Sequence, residues 1–95
     1  MFLHVTDAKY LEGYKIKVSF NNGQEGIVDL VDNLEGSVFK SLRDILFFSQ
    51  FKVDRELETI TWPNGVDLAP EYLYFKAFKE KPGLQAQFKK WGYIN

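Results

Sequence analysis

The strongest constraint on this chain is a period of two: Tyr14, Ile16, Val18 and Phe20 alternate with Lys15, Lys17 and Ser19. Such alternation puts apolar side chains on one face of a strand and polar ones on the other. Asn22-Gly23 follows at once, and that pair readily adopts the positive φ angles of a tight hairpin turn. Residues 24–30 return as the partner strand, with Ile27 and Val28 in its middle, and Glu12-Gly13 turns residues 3–11 into 14–20. The opening third is therefore predicted to be an antiparallel three-stranded meander.

Residues 32–36 break that pattern. Phe39, Leu42, Ile45 and Leu46 then recur at helical spacing, with Phe47, Phe48 and Phe51 widening the apolar stripe. Ser37 is a candidate cap for the first turn, and Ser41 to Asp44 has capping-box spacing with Asp in place of Glu or Gln. Two candidate caps four residues apart predict a short turn followed by a short helix. Residues 52–54 and 59–62 read as a second hairpin joined by the charged stretch 55–58. Pro63 cannot donate to a ladder, so it ends the strand or sits on an edge, and Asn64-Gly65 forms a turn. Pro70 suits the first position of a helix, where Glu71 complements the positive end of the dipole. Beyond Phe78, Pro82-Gly83 interrupts the chain, and Leu84, Phe88 and Trp91 fall at i, i+4 and i+7 of a short helix. The predicted class is α+β: a small antiparallel sheet, meander plus hairpin, packed with short helices. Residues 1–78 form the domain, and residues 79–95 a basic, aromatic docking segment.

Ninety-five residues suffice for one domain and not for two. The core material is aromatic: nine Phe, five Tyr and two Trp, each burying roughly 150–250 Å² when packed. Folding is therefore expected without metal or cofactor. The absence of cysteine excludes disulfides, thiolate nucleophiles and Cys-ligated metals. No basic, apolar leader opens the sequence and no run approaches a membrane span, so a cytoplasmic setting is expected. The net charge of −1 hides an asymmetry. Residues 1–75 carry seven Lys/Arg against twelve Asp/Glu, a balance of −5, whereas residues 76–95 carry five lysines against Glu80 alone, a balance of +4.

Trp62-Pro63-Asn64-Gly65, followed by Asp67-Leu68-Ala69-Pro70-Glu71 and Leu73-Tyr74, resembles the signature of the bacterial domain-of-unknown-function 2442 family. Asp29-Leu30, Val38-Phe39 with Leu42 and Asp44, and Phe51-Lys52-Val53-Asp54 fit the same pattern, so the resemblance spans roughly residues 3–75. It implies a curved antiparallel sheet with short helices packed on it, and it supplies no catalytic residues. Some members of that family are fused to a helix-turn-helix or encoded beside a small toxin, which implies regulation or antitoxin-like pairing. The seventeen residues after Phe78 are too few for a helix-turn-helix.

No catalytic, cofactor-binding or metal-binding set emerges. His4 is the only histidine, and a metal site would need carboxylates for every other ligand. Asp67 and Glu71, four apart, read better as helix-start residues than as an acid–base pair, with Asp67 capping the Pro70 helix. Trp62 beside Asn64 admits a recognition surface, although alternation with Thr61 favours the core for Trp62. Tyr74, Phe88 and Trp91 complete the candidate partner-binding residues. A non-catalytic interaction module is expected, its partner a protein such as a toxin or a second copy. Two alternatives stand beside it. One is a small-molecule or enzymatic pocket between sheet and helices; the other is nucleic-acid binding through the lysine-rich tail, with Phe88, Trp91 and Tyr93 interleaved.

Overall fold

The meander forms as its period-two pattern predicts. In the computed structural model, which describes residues 2–37 and 39–95, strand β1 (Val5–Glu12) pairs antiparallel with β2 (Lys15–Phe20), and β2 with β3 (Glu25–Asp29). Val38, part of the family pattern, lies outside the described residues, as does Met1. Ile16, Val18 and Phe20 face inward beside Val28 and Leu30, all essentially buried. The β1–β2 register slips between Val5 and Asp7 and again between Tyr10 and Glu12. An extra residue in one strand flips the facing of everything beyond it. Val5, Ala8 and Tyr10 can therefore all pack on the core although Val5 and Ala8 are three apart.

The second hairpin, β4 (Lys52–Asp54) with β5 (Thr59–Thr61), lies against the start of β1, where the Val5 amide donates to the Glu58 carbonyl over 2.9 Å. Its tight connection is held by Asp54, whose carboxylate accepts the Glu56 and Leu57 amides at 2.8 and 3.0 Å. Those bonds, Leu57 first, hold the Asp54 carboxyl below its ordinary value. Alternation with Ile60 and Trp62 along a strand would turn Thr59 and Thr61 outward, yet both are buried. The chain doubles back after Trp62, so that Asp67 bridges Thr61, the Leu68 amide bonds the Ile60 carbonyl, and the Thr59 hydroxyl donates to the Leu68 carbonyl. A hydroxyl satisfied in this way can be buried without penalty.

Between the hairpins runs a turn of 3-10 helix (Lys40–Arg43) and then α1 (Ile45–Phe48). This is the predicted turn-then-helix, with different caps. Ser37 does not cap, since the 3-10 turn has Phe39 at its N-cap and no side-chain bond there, and Asp44 rather than Ser41 caps α1 by accepting the Leu46 amide at 3.0 Å. The broad apolar stripe is only partly used: Leu42 and Phe48 are buried, whereas Leu46 is 75% exposed. One turn of helix has too little length to turn four apolar positions toward the same core.

Helix α2 (Pro70–Phe78) starts at Pro70 as predicted, with Glu71 in its first turn. Its cap is Ala69 without a side-chain bond, so Asp67 does not cap it. Asp67 is held back in the β5 ladder instead. α2 lies across the inner face of β3, and Gly26 marks the contact: a Cβ there would meet Ala77 Cβ and Phe78 Cε1 at 3.0 Å. A short 3-10 turn (Pro82–Leu84) then leads into α3 (Gln85–Lys90), which returns along α2 with Phe88 fully buried.

Candidate functional site

The five residues singled out by sequence fall at two separate places. Trp62 and Asn64 belong to the α1 side. The Trp62 indole N–H donates to the Phe48 carbonyl over 2.8 Å, and its ring packs on Phe48 and Phe51 with centroids 5.8 and 6.2 Å apart. Asn64 donates to the Ser41 hydroxyl at 2.8 Å and accepts the Val66 amide at 3.2 Å. Gly65 sits between them at φ +90°, a conformation that L side chains rarely adopt. This turn clamps the 3-10 turn and α1 onto the second hairpin, so the indole of Trp62, 3% exposed, has no face left for a partner.

A model of the family described as "Protein of unknown function (DUF2442)" matches residues 5–79, a span that takes in this clamp and the whole meander. The chain belongs to the DUF2442 family. No curated protein matches it. Among solved structures it resembles the Nitrosomonas europaea protein NE0471, described as a "putative DNA binding protein", at a TM-score of 0.76 and 14% identity. The match covers all of this chain but only 64% of that one. At such identity the likeness establishes a shared fold.

Tyr74, Phe88 and Trp91 lie together on the other side, where this DUF2442 chain folds its last helix onto α2. Phe88 has Phe75 at 5.1 Å, Trp91 at 6.1 Å and Tyr74 at 6.4 Å, mostly edge to face. Tyr93 stacks on Phe75 at 5.0 Å. Burial, and secondly the charge of Glu71, push the Tyr93 phenol above its ordinary value. The ring of Phe88 faces its own chain entirely and presents nothing outward.

Trp91, half-buried, reaches a surface, and Tyr74, itself only 6% exposed, contributes to the same wall. They line an open groove of about 360 Å³ where the N-terminal residues, the β2–β3 turn and the C-terminal helix meet. Leu3 and Leu84 supply further apolar wall, and Phe2, at the rim, is 91% exposed. Its polar groups are the carboxamides of Asn21, Asn22 and Gln87 and the Tyr74 phenol. Asn22 Nδ2 donates to the Tyr74 hydroxyl at 3.3 Å, and that hydroxyl donates to Gln24 at 2.9 Å. Asn21 holds the N-terminal backbone, donating to the Phe2 carbonyl at 2.7 Å and accepting the His4 amide at 2.9 Å. Gln87, a half-buried residue, makes no side-chain hydrogen bond among the described residues, and its carboxamide is open to solvent. Sequence reasoning missed Phe2, Leu3, Asn22 and Gln87, because no spacing links residue 2 to residue 87.

Elsewhere, His4 Nδ1 lies 3.1 Å from Glu58 Oε2 beside Asp54 and Arg55. No hydroxyl is hydrogen-bonded to that imidazole among the described residues, and the Asp54 carboxylate is occupied by its turn. No three His, Asp or Glu side chains cluster as metal ligands among the described residues. No helix among them is long and apolar enough to cross a membrane.

The lysines of the C-terminal region form a second surface. Lys76, Lys79 and Lys81 border one depression at the end of α2, and Lys89 and Lys90 close α3. None of the five makes an ion pair among the described residues, whereas Lys15, Lys17 and Arg43 each face a glutamate within 4.0 Å.

Proposed function

We propose that this DUF2442 chain is a non-catalytic interaction module that docks a protein partner in the groove between its N-terminal residues and α3. The observation that carries the reading is the chemistry of that groove. Its polar groups are carboxamides and a phenol already hydrogen-bonded, with no carboxylate, imidazole or amine among the lining residues, so they suit recognition better than acid–base work. Apolar wall beside a few neutral hydrogen-bonding groups, with an exposed aromatic at the rim, is the composition of an interaction surface. The test is a photo-crosslinker (p-benzoylphenylalanine) placed at position 2 in the producing cell. The expected result is a crosslink to one protein species, lost when Gln87→Arg obstructs the groove floor. Crosslinking to nucleic acid alone, or an identical pattern with and without Gln87→Arg, would overturn it.

The five unpaired lysines favour a second reading, nucleic-acid binding through the α2–α3 surface, and the description of the Nitrosomonas protein points the same way. The set contains no arginine for base recognition and few charges for phosphate contact. Oligonucleotide binding measured by fluorescence anisotropy, falling steeply with salt and abolished by Lys89→Glu with Lys90→Glu, would establish it over the first.

A further inference from the structure

We infer that the occupant of the groove is an acidic peptide segment of a partner protein, anchored by one large apolar side chain. This rests on the protein-docking reading and adds to it the chemistry of what docks.

The anchor follows from the walls. Leu3, Leu84 and Trp91 line a space of about 360 Å³, and the most exposed large hydrophobic, Phe2, stands at its edge. That volume accommodates a large aliphatic or aromatic side chain, and burial of each such side chain is worth roughly 1.5–3 kcal/mol. The peptide follows from the floor. A carboxamide offers a donor and an acceptor side by side, the same pair that a peptide unit presents along an extended backbone. Gln87 has that pair free among the described residues, open to solvent on the lining of the groove where a docking segment can reach it.

The acidity follows from what surrounds the groove. Lys81 Nζ lies 5.6 Å from the centre of the Phe78 ring, which packs at 4.8 Å on Tyr74, itself a groove residue. Lys90 immediately precedes Trp91, and Lys89 and Lys79 are exposed close by in the chain. The glutamates that form ion pairs, Glu12, Glu25, Glu35 and Glu58, pair with residues of the opening two-thirds of the chain. Lys9, Lys40, Lys52 and Arg55 are also outside ion pairs among the described residues, but it is Lys81 that packs, through Phe78, beside a neutral, apolar cleft. A segment with acidic residues on either side of its anchor complements both parts at once, and the lysines would also speed its encounter. Phosphodiester backbone would meet the lysines but leave the apolar cleft and its carboxamide unused.

The experiment is selection of a displayed random 12-residue peptide library on the immobilised full chain, followed by amide NMR mapping of an enriched peptide. Enriched peptides should carry one Leu, Phe or Trp with Asp or Glu within about three positions. They should shift the amides of Leu3, Asn22 and Gln87. Lys81→Glu combined with Lys90→Glu should weaken binding by about tenfold in low salt, since exposed ion pairs are worth up to ~1 kcal/mol each, and the difference should shrink as salt rises. Apolar-anchored peptides that map to the groove without acidic flanks, or that ignore the charge reversal, would overturn the acidic partner while leaving protein docking intact. Failure of every peptide to move the groove amides would overturn both. So would displacement of bound peptide by a 15-base oligonucleotide that shifts the same amides. Self-association in sedimentation that is lost in Phe2→Ala would overturn the acidic partner while leaving protein docking intact.

Discussion

Replacing Phe88 with Ala tests whether the C-terminal segment is part of this domain's own core. The ring is fully buried, with three aromatic neighbours between 5.1 and 6.4 Å. Truncation removes its transfer free energy and leaves a cavity that edge-packed rings cannot close by small shifts. Phe→Ala in such a site costs about 3–5 kcal/mol. For a chain of this size each kcal/mol lowers Tm by roughly 4–8 °C, so a fall on the order of 15–30 °C is expected. Urea unfolding should show a lower midpoint with an unchanged slope, because the surface exposed on unfolding is almost the same. Leu84→Ala, at a half-buried position on the same side, should cost clearly less. A parent and Phe88→Ala that melt within about 1 kcal/mol of each other would refute the packing of α3 on α2. A loss of stability that grows on dilution of the parent would instead place the segment on a second copy.

Gly65→Val should destabilise the fold by about 1–3 kcal/mol through backbone strain alone, since the position is at φ +90° with no atom within 4 Å of an added Cβ; an unchanged melt would refute the requirement. Trp62→Phe keeps most of the ring but orphans the Phe48 carbonyl, and should cost about 1–3 kcal/mol in urea unfolding, with partner binding through the groove retained. Asp54 has a carboxyl held below its ordinary 3.8, so its contribution is present above that value and is lost as pH falls through the lower folded-state value. Asp54→Asn should accordingly lose less stability than the parent between about pH 6 and pH 2.5, and equal losses would refute the turn's role. Tyr93 has a raised phenol, so the folded state resists ionisation and stability should decline as pH climbs above 10. Tyr93→Phe should lessen that decline in alkaline melts.

The elements of this fold were legible where the physics is local. The alternation of Tyr14 to Phe20, the Asn22-Gly23 turn, and Pro70 opening a helix depend on bonds between residues a few positions apart, and all three occur, although in the turn only Gly23 takes a positive φ. The Asn64-Gly65 turn was also legible, because a positive-φ glycine leaves a mark in composition, whereas the bonds of Trp62 to Phe48 and of Asn64 to Ser41 were not. What tertiary structure decided is which polar group meets which partner. Asp67 had a reasonable claim to cap α2 until the return of the chain beside β5 drew its backbone into a ladder. Ser41 had an equal claim to cap α1, but its hydroxyl went to Asn64, twenty-three residues on. The groove was out of reach for the same reason. Phe2, Asn22 and Gln87 come together only because α2 crosses β3 at a glycine and α3 folds back along α2. Periodicity encodes which face of an element is apolar, but the choice among several adequate partners for that face is made by the packing of the whole chain at once.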